Sequence, residues 1–198
     1  MNMRIGCLFG TFDPPHNGHV ALAQHMLKSC GLDQVWLVVT PLNPFKTDRK
    51  LSPDEHRLAM TRLAVQGKDG LVASGFEIDL PKPNYTVDSL RFMRRRWPDH
   101  TFALIIGSDN LAGFDRWKEA EDIIEHHELL VYPRDGFQVH LAGSGFPGHP
   151  RVRIVADAPM LPVSSTEVRR RLRIWEPVDA LLPPTVLTYI RQHQLYNP

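Results

Sequence analysis

Short apolar runs alternate with amphipathic stretches along almost the whole chain, and this alternation constrains the fold more than any other feature. The strand-like runs are Arg4–Phe9, Gln34–Val39, Val72–Ser74 with Glu77–Leu80 near it, Phe102–Ile106, Glu128–Val131 and Val152–Val155. Between them apolar residues recur at helical spacing. Val20, Ala23, Met26, Leu27 and Cys30 share one stripe, with Gly31 placed to stop the helix. Ser52-Pro53-Asp54-Glu55 predicts a second helix, capped by Ser52 with Pro53 as its first residue. A third begins near Thr86, buries Val87, Leu90, Met93 and Trp97, and ends at Pro98. Pro183 to His193 reads as a closing helix with Val186, Leu187 and Ile190 on its buried side. Strands alternating with helices predict an α/β protein with a doubly wound parallel sheet, helices on both faces. Ligands of such sheets bind outside the carboxyl ends of the strands, at the switch point.

With 198 residues, 42% apolar and 23% charged, the chain fits one domain over 1–198, its C-terminal helical portion beginning at about residue 159. A formal net charge of +1 provides no global field for polymeric nucleic acid or an anionic membrane, so phosphate affinity must be local and the substrate small and anionic. Cys7 and Cys30 both lie in apolar stretches and read as buried, reduced thiols of a cytoplasmic protein. No charged-then-apolar leader opens the chain and no apolar run approaches about 18 residues, so neither export nor membrane insertion is expected. The Gly- and Pro-rich stretch from Gly136 to Pro150 reads as a loop.

Two segments carry chemistry. Gly10-Thr11-Phe12-Asp13-Pro14-Pro15-His16-Asn17-Gly18-His19 follows the first strand and runs into the first helix. A helix N-terminus presents unpaired N–H groups and the positive end of the dipole, which favours phosphate. Imidazoles there can donate to phosphate oxygens, and Gly18 leaves room for close approach. In the second segment, Ser164 can cap a helix with Glu167 three residues on, a capping box. Ser165 and Thr166 add hydroxyl donors, and Arg169 lies about one turn further, within reach of a β- or γ-phosphate. Arg170 and Arg171 read as solvated surface, while Val168, Leu172 and Trp175 form the core-facing stripe. Neither segment pairs a nucleophile with a base.

Together these segments resemble the signatures of the nucleotidyltransferases that share His-x-Gly-His, and among them the bacterial nicotinate-nucleotide adenylyltransferases. Asn84-Tyr85-Thr86, Ile105-Ile106-Gly107-Ser108-Asp109 and Arg116-Trp117 fall in the expected order, so the resemblance covers nearly the whole chain. It implies a Rossmann-like nucleotidyltransferase fold and transfer of the adenylyl group of ATP to nicotinate mononucleotide in NAD synthesis. It also implies an ATP site in which Thr11, His16 and His19 hold the triphosphate and His19 stabilises the transition state. Gly10, Phe12 and Gly18 belong to the same loop, Gly107 and Asp109 approach the ribose, and Arg134 lies near the adenine. Ser165, Thr166 and Arg169 take the remaining phosphates, which makes His16, His19 and Arg169 the catalytic set. For the acceptor it implies Thr86 on the carboxylate, Trp117 stacked on the ring, and a loop bearing Asn43 and Lys46.

Such a transfer is chiefly positioning and charge stabilisation. No protein-held metal is expected; Mg²⁺ would arrive with ATP, bound to phosphates and water. One departure from the family is Phe9, where a glycine usually precedes Gly10; a phenylalanine resists positive φ, so if that position needs such a conformation the strand end must be built differently. The alternatives are a related enzyme acting on nicotinamide mononucleotide or phosphopantetheine, and a non-catalytic nucleotide sensor. A homo-oligomer is left open.

Overall fold

The computed structural model describes residues 2–42, 50–134, 146 and 149–197. Six strands form one parallel sheet: β1 (Arg4–Gly10), β2 (Gln34–Val39), β3 (Leu71–Ser74), β4 (Thr101–Gly107), β5 (Glu128–Tyr132) and β6 (Val152–Ile154). Their order is β3-β2-β1-β4-β5-β6, so the winding reverses between β1 and β4. The register there pairs Cys7 with Leu104 on one side and with Trp36 on the other.

The helices are α1 (Asn17–Ser29), α2 (Asp54–Val65), α3 (Thr86–Arg96), α4 (Ser108–Leu111), α5 (Ala120–His126), α6 (Ser165–Arg173) and α7 (Pro184–Gln192). The central strands are buried on both faces, so they read as continuous apolar runs. One core joins Leu8, Leu37, Val39 and Ile105 to α1, α2, α6 and α7; the other joins Ile5, Cys7, Val38, Leu104 and Ile106 to α3 and α5. Cys7 and Cys30 are buried free thiols, and burial raises both above the ordinary thiol range. Among the described residues, no helix is long and apolar enough to cross a membrane.

Three local expectations are corrected. Glu77–Leu80 is not strand: Phe76–Asp79 forms a 3₁₀ turn in which Glu77 is buried and its carbonyl accepts from Asn84 Nδ2 at 3.1 Å. Helix α2 starts one residue late, with Pro53 at the cap, because the Ser52 carbonyl turns inward to accept from Arg57 Nε at 3.0 Å. Trp175 is 76% exposed rather than core, since α6 ends at Arg173 and Trp175 takes φ +58°, beyond the helical period. Phe9 sits in ordinary strand geometry paired with Val38; the positive φ, +46°, falls on Phe12. Most of the expected 136–150 loop lies outside the described residues.

Candidate active site

Two cavities open near the carboxyl ends of β1, β4 and β5, where the winding reverses, and Tyr132 lines both. The first, of about 310 Å³, is lined by Gly10, Thr11, Thr86, Gly107, Asp109 and Trp117 among others. The second, of about 330 Å³, is lined by His16, Gly18, His19, Arg134 and Ser164, with Met160 and Leu161 as its apolar wall. Phe12, Thr166, Ser165 and Arg169 line neither cavity and lie behind the loop between them.

The loop geometry follows from its buried side chains. Phe12 is 2% exposed, so only its backbone could face a ligand; its ring lies edge-on to His19 at 5.0 Å. A Cβ on Gly10 would come within 3.0 Å of that ring, so glycine is what lets the phenyl tuck under the strand end. The His16 and His19 rings stack at 3.6 Å between centroids. The His16 N–H donates to His19 Nδ1 at 3.2 Å, which places the proton of a neutral His19 on Nε2. Burial lowers His16 to about 4 and His19 well below the usual imidazole range, with Arg134 adding to both shifts. Both rings are therefore neutral hydrogen-bonding groups at pH 7, not cations.

Gly18 joins the two motifs. A Cβ there would lie 2.9 Å from Val163 Cγ1 and 3.0 Å from His16 Nδ1, so its absence lets the segment before α6 close against α1. Ser164 caps α6 by accepting from the Glu167 N–H at 3.1 Å. The Ser165 hydroxyl donates to the Pro14 carbonyl at 2.8 Å, and Arg169 donates to the Asp13 carbonyl at 2.5 Å and to Thr166 Oγ1 at 3.4 Å. The second motif thus grips the first. Arg170 pairs with Glu167 and Glu176, and Arg171 with Glu167, on the outer face.

In the first cavity, Thr86 is the first residue of α3, after Tyr85 at the cap, and is half-buried. Trp117 lines the cavity, its ring 5.3 Å from that of Phe114. A Cβ on Gly107 would collide with the Asp109 carboxylate, whose Oδ1 is buried without a hydrogen-bond partner and whose Oδ2 is 3.7 Å from Arg134. Asn43 and Lys46 lie outside the described residues.

Three structural residues were not singled out from sequence. Arg57 is fully buried and donates to the carbonyls of Thr11 at 2.7 Å and Thr40 at 2.9 Å, so it fastens the loop after β1 to the end of β2. The available signal was an arginine sharing a helical stripe with Met60, Thr61 and Ala64. Asp13, 1% exposed, accepts from the Tyr196 hydroxyl at 2.6 Å, a partner that is 183 residues away and invisible to local pattern. Glu77 is 1% exposed and lines the first cavity.

The cytidylyltransferase-like family model matches residues 7–171 of the chain. A probable nicotinate-nucleotide adenylyltransferase of Christiangramia forsetii is 41% identical over 197 residues, covering 100% of both chains. Another, of Bacteroides fragilis, is 43% identical over 189 residues, 96% of this chain and 92% of its own. The solved structure of Plasmodium falciparum nicotinic acid mononucleotide adenylyltransferase complexed with NaAD superposes with a TM-score of 0.79, at 20% identity over 98% of this chain and 97% of that one. That last likeness is one of fold.

Proposed function

The chain belongs to the cytidylyltransferase-like family and to the nicotinate-nucleotide adenylyltransferases within its reach, and from that premise we propose how its cleft works. The reaction transfers the adenylyl group of ATP to nicotinate mononucleotide, giving nicotinate adenine dinucleotide and pyrophosphate. The observation that carries this reading is the pair of cavities sharing Tyr132 at the switch point, with the stacked histidines beside their junction.

ATP spans the junction of the cavities, its adenine near Arg134 in the second and its ribose toward Gly107 and Asp109, which line the first. The acceptor takes the first. An oxygen of the acceptor phosphate attacks the α-phosphorus in line, and the bond to the bridging oxygen of pyrophosphate breaks. His19 Nε2–H donates to the oxygens whose charge grows in the transition state, while His16, Thr11 and the Gly10 to Gly18 backbone orient the triphosphate. Arg169, with Ser165 and Thr166, acts from behind that loop, holding the Asp13 and Pro14 carbonyls and so fixing the backbone that faces the phosphates. Mg²⁺ enters with ATP. Held by phosphate oxygens and water, it calls for no dedicated set of protein ligands. Bound there, it would offset charge on the leaving group.

Acceptor choice rests on α3. Its first N–H groups and dipole favour a carboxylate at Thr86, with Trp117 against the ring. An amide would turn its own N–H donors toward them. The test is pyrophosphate release from ATP and Mg²⁺ with nicotinate mononucleotide, nicotinamide mononucleotide and phosphopantetheine. Nicotinate mononucleotide is expected to give the highest kcat/KM; equal values for acid and amide would defeat the acceptor assignment.

A further inference from the structure

The first cavity contains a carboxyl group that the mechanism above does not use. Glu77, on the 3₁₀ turn after β3, is 1% exposed and lines the wall. Its Oε1 accepts from the Ser89 hydroxyl, one helical turn below Thr86 on α3. Its backbone carbonyl accepts from Asn84 Nδ2 at 3.1 Å. Asn84 in turn exchanges bonds with the Leu42 backbone, accepting its N–H at 3.2 Å and donating to its carbonyl at 3.0 Å. One buried polar cluster therefore joins the start of α3 to the segment leaving β2, across the floor of the acceptor cavity. Glu77 Oε2 is buried in that floor, and the Thr40 hydroxyl at the end of β2 also bonds the carboxyl.

We propose that Glu77 is a positioning residue for the acceptor, holding the first turn of α3 as a neutral acid so that an anionic ring substituent can settle there, and opposing that substituent once it ionises. The inference deepens the acceptor assignment and rests on it. A carboxylate under the Thr86 turn would face the acceptor carboxylate through protein, where screening by water is weak. An amide acceptor would feel no such repulsion. Burial supports the neutral state by raising Glu77 to about 7, against the Ser89 and Thr40 hydroxyls, which pull it down.

The ionisable groups around Glu77 come from several elements. Cys7 of β1 lies close enough to be raised further by the carboxylate. Asp79 shares the turn, Asp109, Arg116 and Lys118 line the same cavity, and Arg57 with Asp54 lies beyond Thr40. A pH response arising from any of these would persist when Glu77 alone is made permanently neutral.

The experiment is steady-state kinetics from pH 6 to 8.5 with both nicotinate and nicotinamide mononucleotide, on wild type, Glu77→Gln and Ser89→Ala. For wild type, KM for the acid is expected to rise about fivefold or more across this range, with little change in kcat. The amide, which carries the same titrating phosphate, should not follow. Glu77→Gln should flatten the acid profile at its low-pH value. Ser89→Ala removes a bond that stabilises the carboxylate, so the rise should move to higher pH, which keeps the inference testable should the Gln variant fold poorly. An unchanged profile in both variants, a flat wild-type profile, or an equal KM increase for both acceptors would overturn the inference alone. No pyrophosphate from either acceptor would overturn the activity and the inference together.

Discussion

His16 and His19 are three residues apart and stacked, yet their environments give them different tasks. His19 has its Nδ1 tied to the His16 N–H, so its only mobile donor is Nε2–H. The His16 side chain in turn accepts from the His19 N–H, so the two residues close a reciprocal cap on α1. Because both imidazoles are neutral in the free protein, the proposed contribution would begin as directed hydrogen bonding. Nearby phosphate charge would then favour protonation. Replacing His19 by Ala should lower kcat by roughly two to three orders of magnitude, the scale of losing one transition-state donor, while the fold persists. Turnover near wild type in that variant would remove the core of the mechanism. The histidine spacing was legible in the sequence; the tautomer was not, because it depends on which backbone donor the folded loop aims at the ring.

At the scale of elements, α6 shows how three consecutive arginines separate by direction. Arg169 points at the β1–α1 loop, while Arg170 and Arg171 turn outward to Glu167 and Glu176. A guanidinium can hold the Asp13 carbonyl and Thr166 together, whereas an ammonium has no planar fork to do so. Arg169→Lys should therefore reduce kcat/KM by about tenfold or more, and Arg170→Lys by less than about twofold. Equal, small effects in the two variants would mean that the arginine run is only a solvated face. Helical periodicity identified which face of α6 is buried at Val168, but it ran too far at Trp175 because nothing local marks where the helix unwinds. The same limit applied at Glu77, where a buried acid bonded to distant partners replaced the expected strand.

At the scale of the molecule, the C-terminal segment closes over the first loop. The Tyr196 hydroxyl bonds Asp13 at 2.6 Å, Ser52 N–H approaches the same carboxylate at 3.4 Å, and α7 is fastened to α2 through Thr185 Oγ1 to the Leu63 carbonyl at 3.1 Å. Asp13 is 1% exposed, so losing a partner leaves a buried charge undersatisfied. Tyr196→Phe should cost about 2 kcal/mol and lower Tm by roughly 4–8 °C in a chain of this length. An unchanged Tm would show that the closure is incidental.

The sequence by itself determined the strand–helix alternation, the placement of both phosphate motifs at strand ends or helix starts, and the apolar faces of α1, α3 and α7, because these are properties of periods two and three to four residues long. Only the tertiary structure decided the rest. Sheet order set which strand ends face one another, and burial without water made Arg57, Asp13 and Glu77 take partners far away along the chain. A buried polar group must find its bond wherever the fold brings a donor or acceptor within reach, and no local window of sequence contains that address.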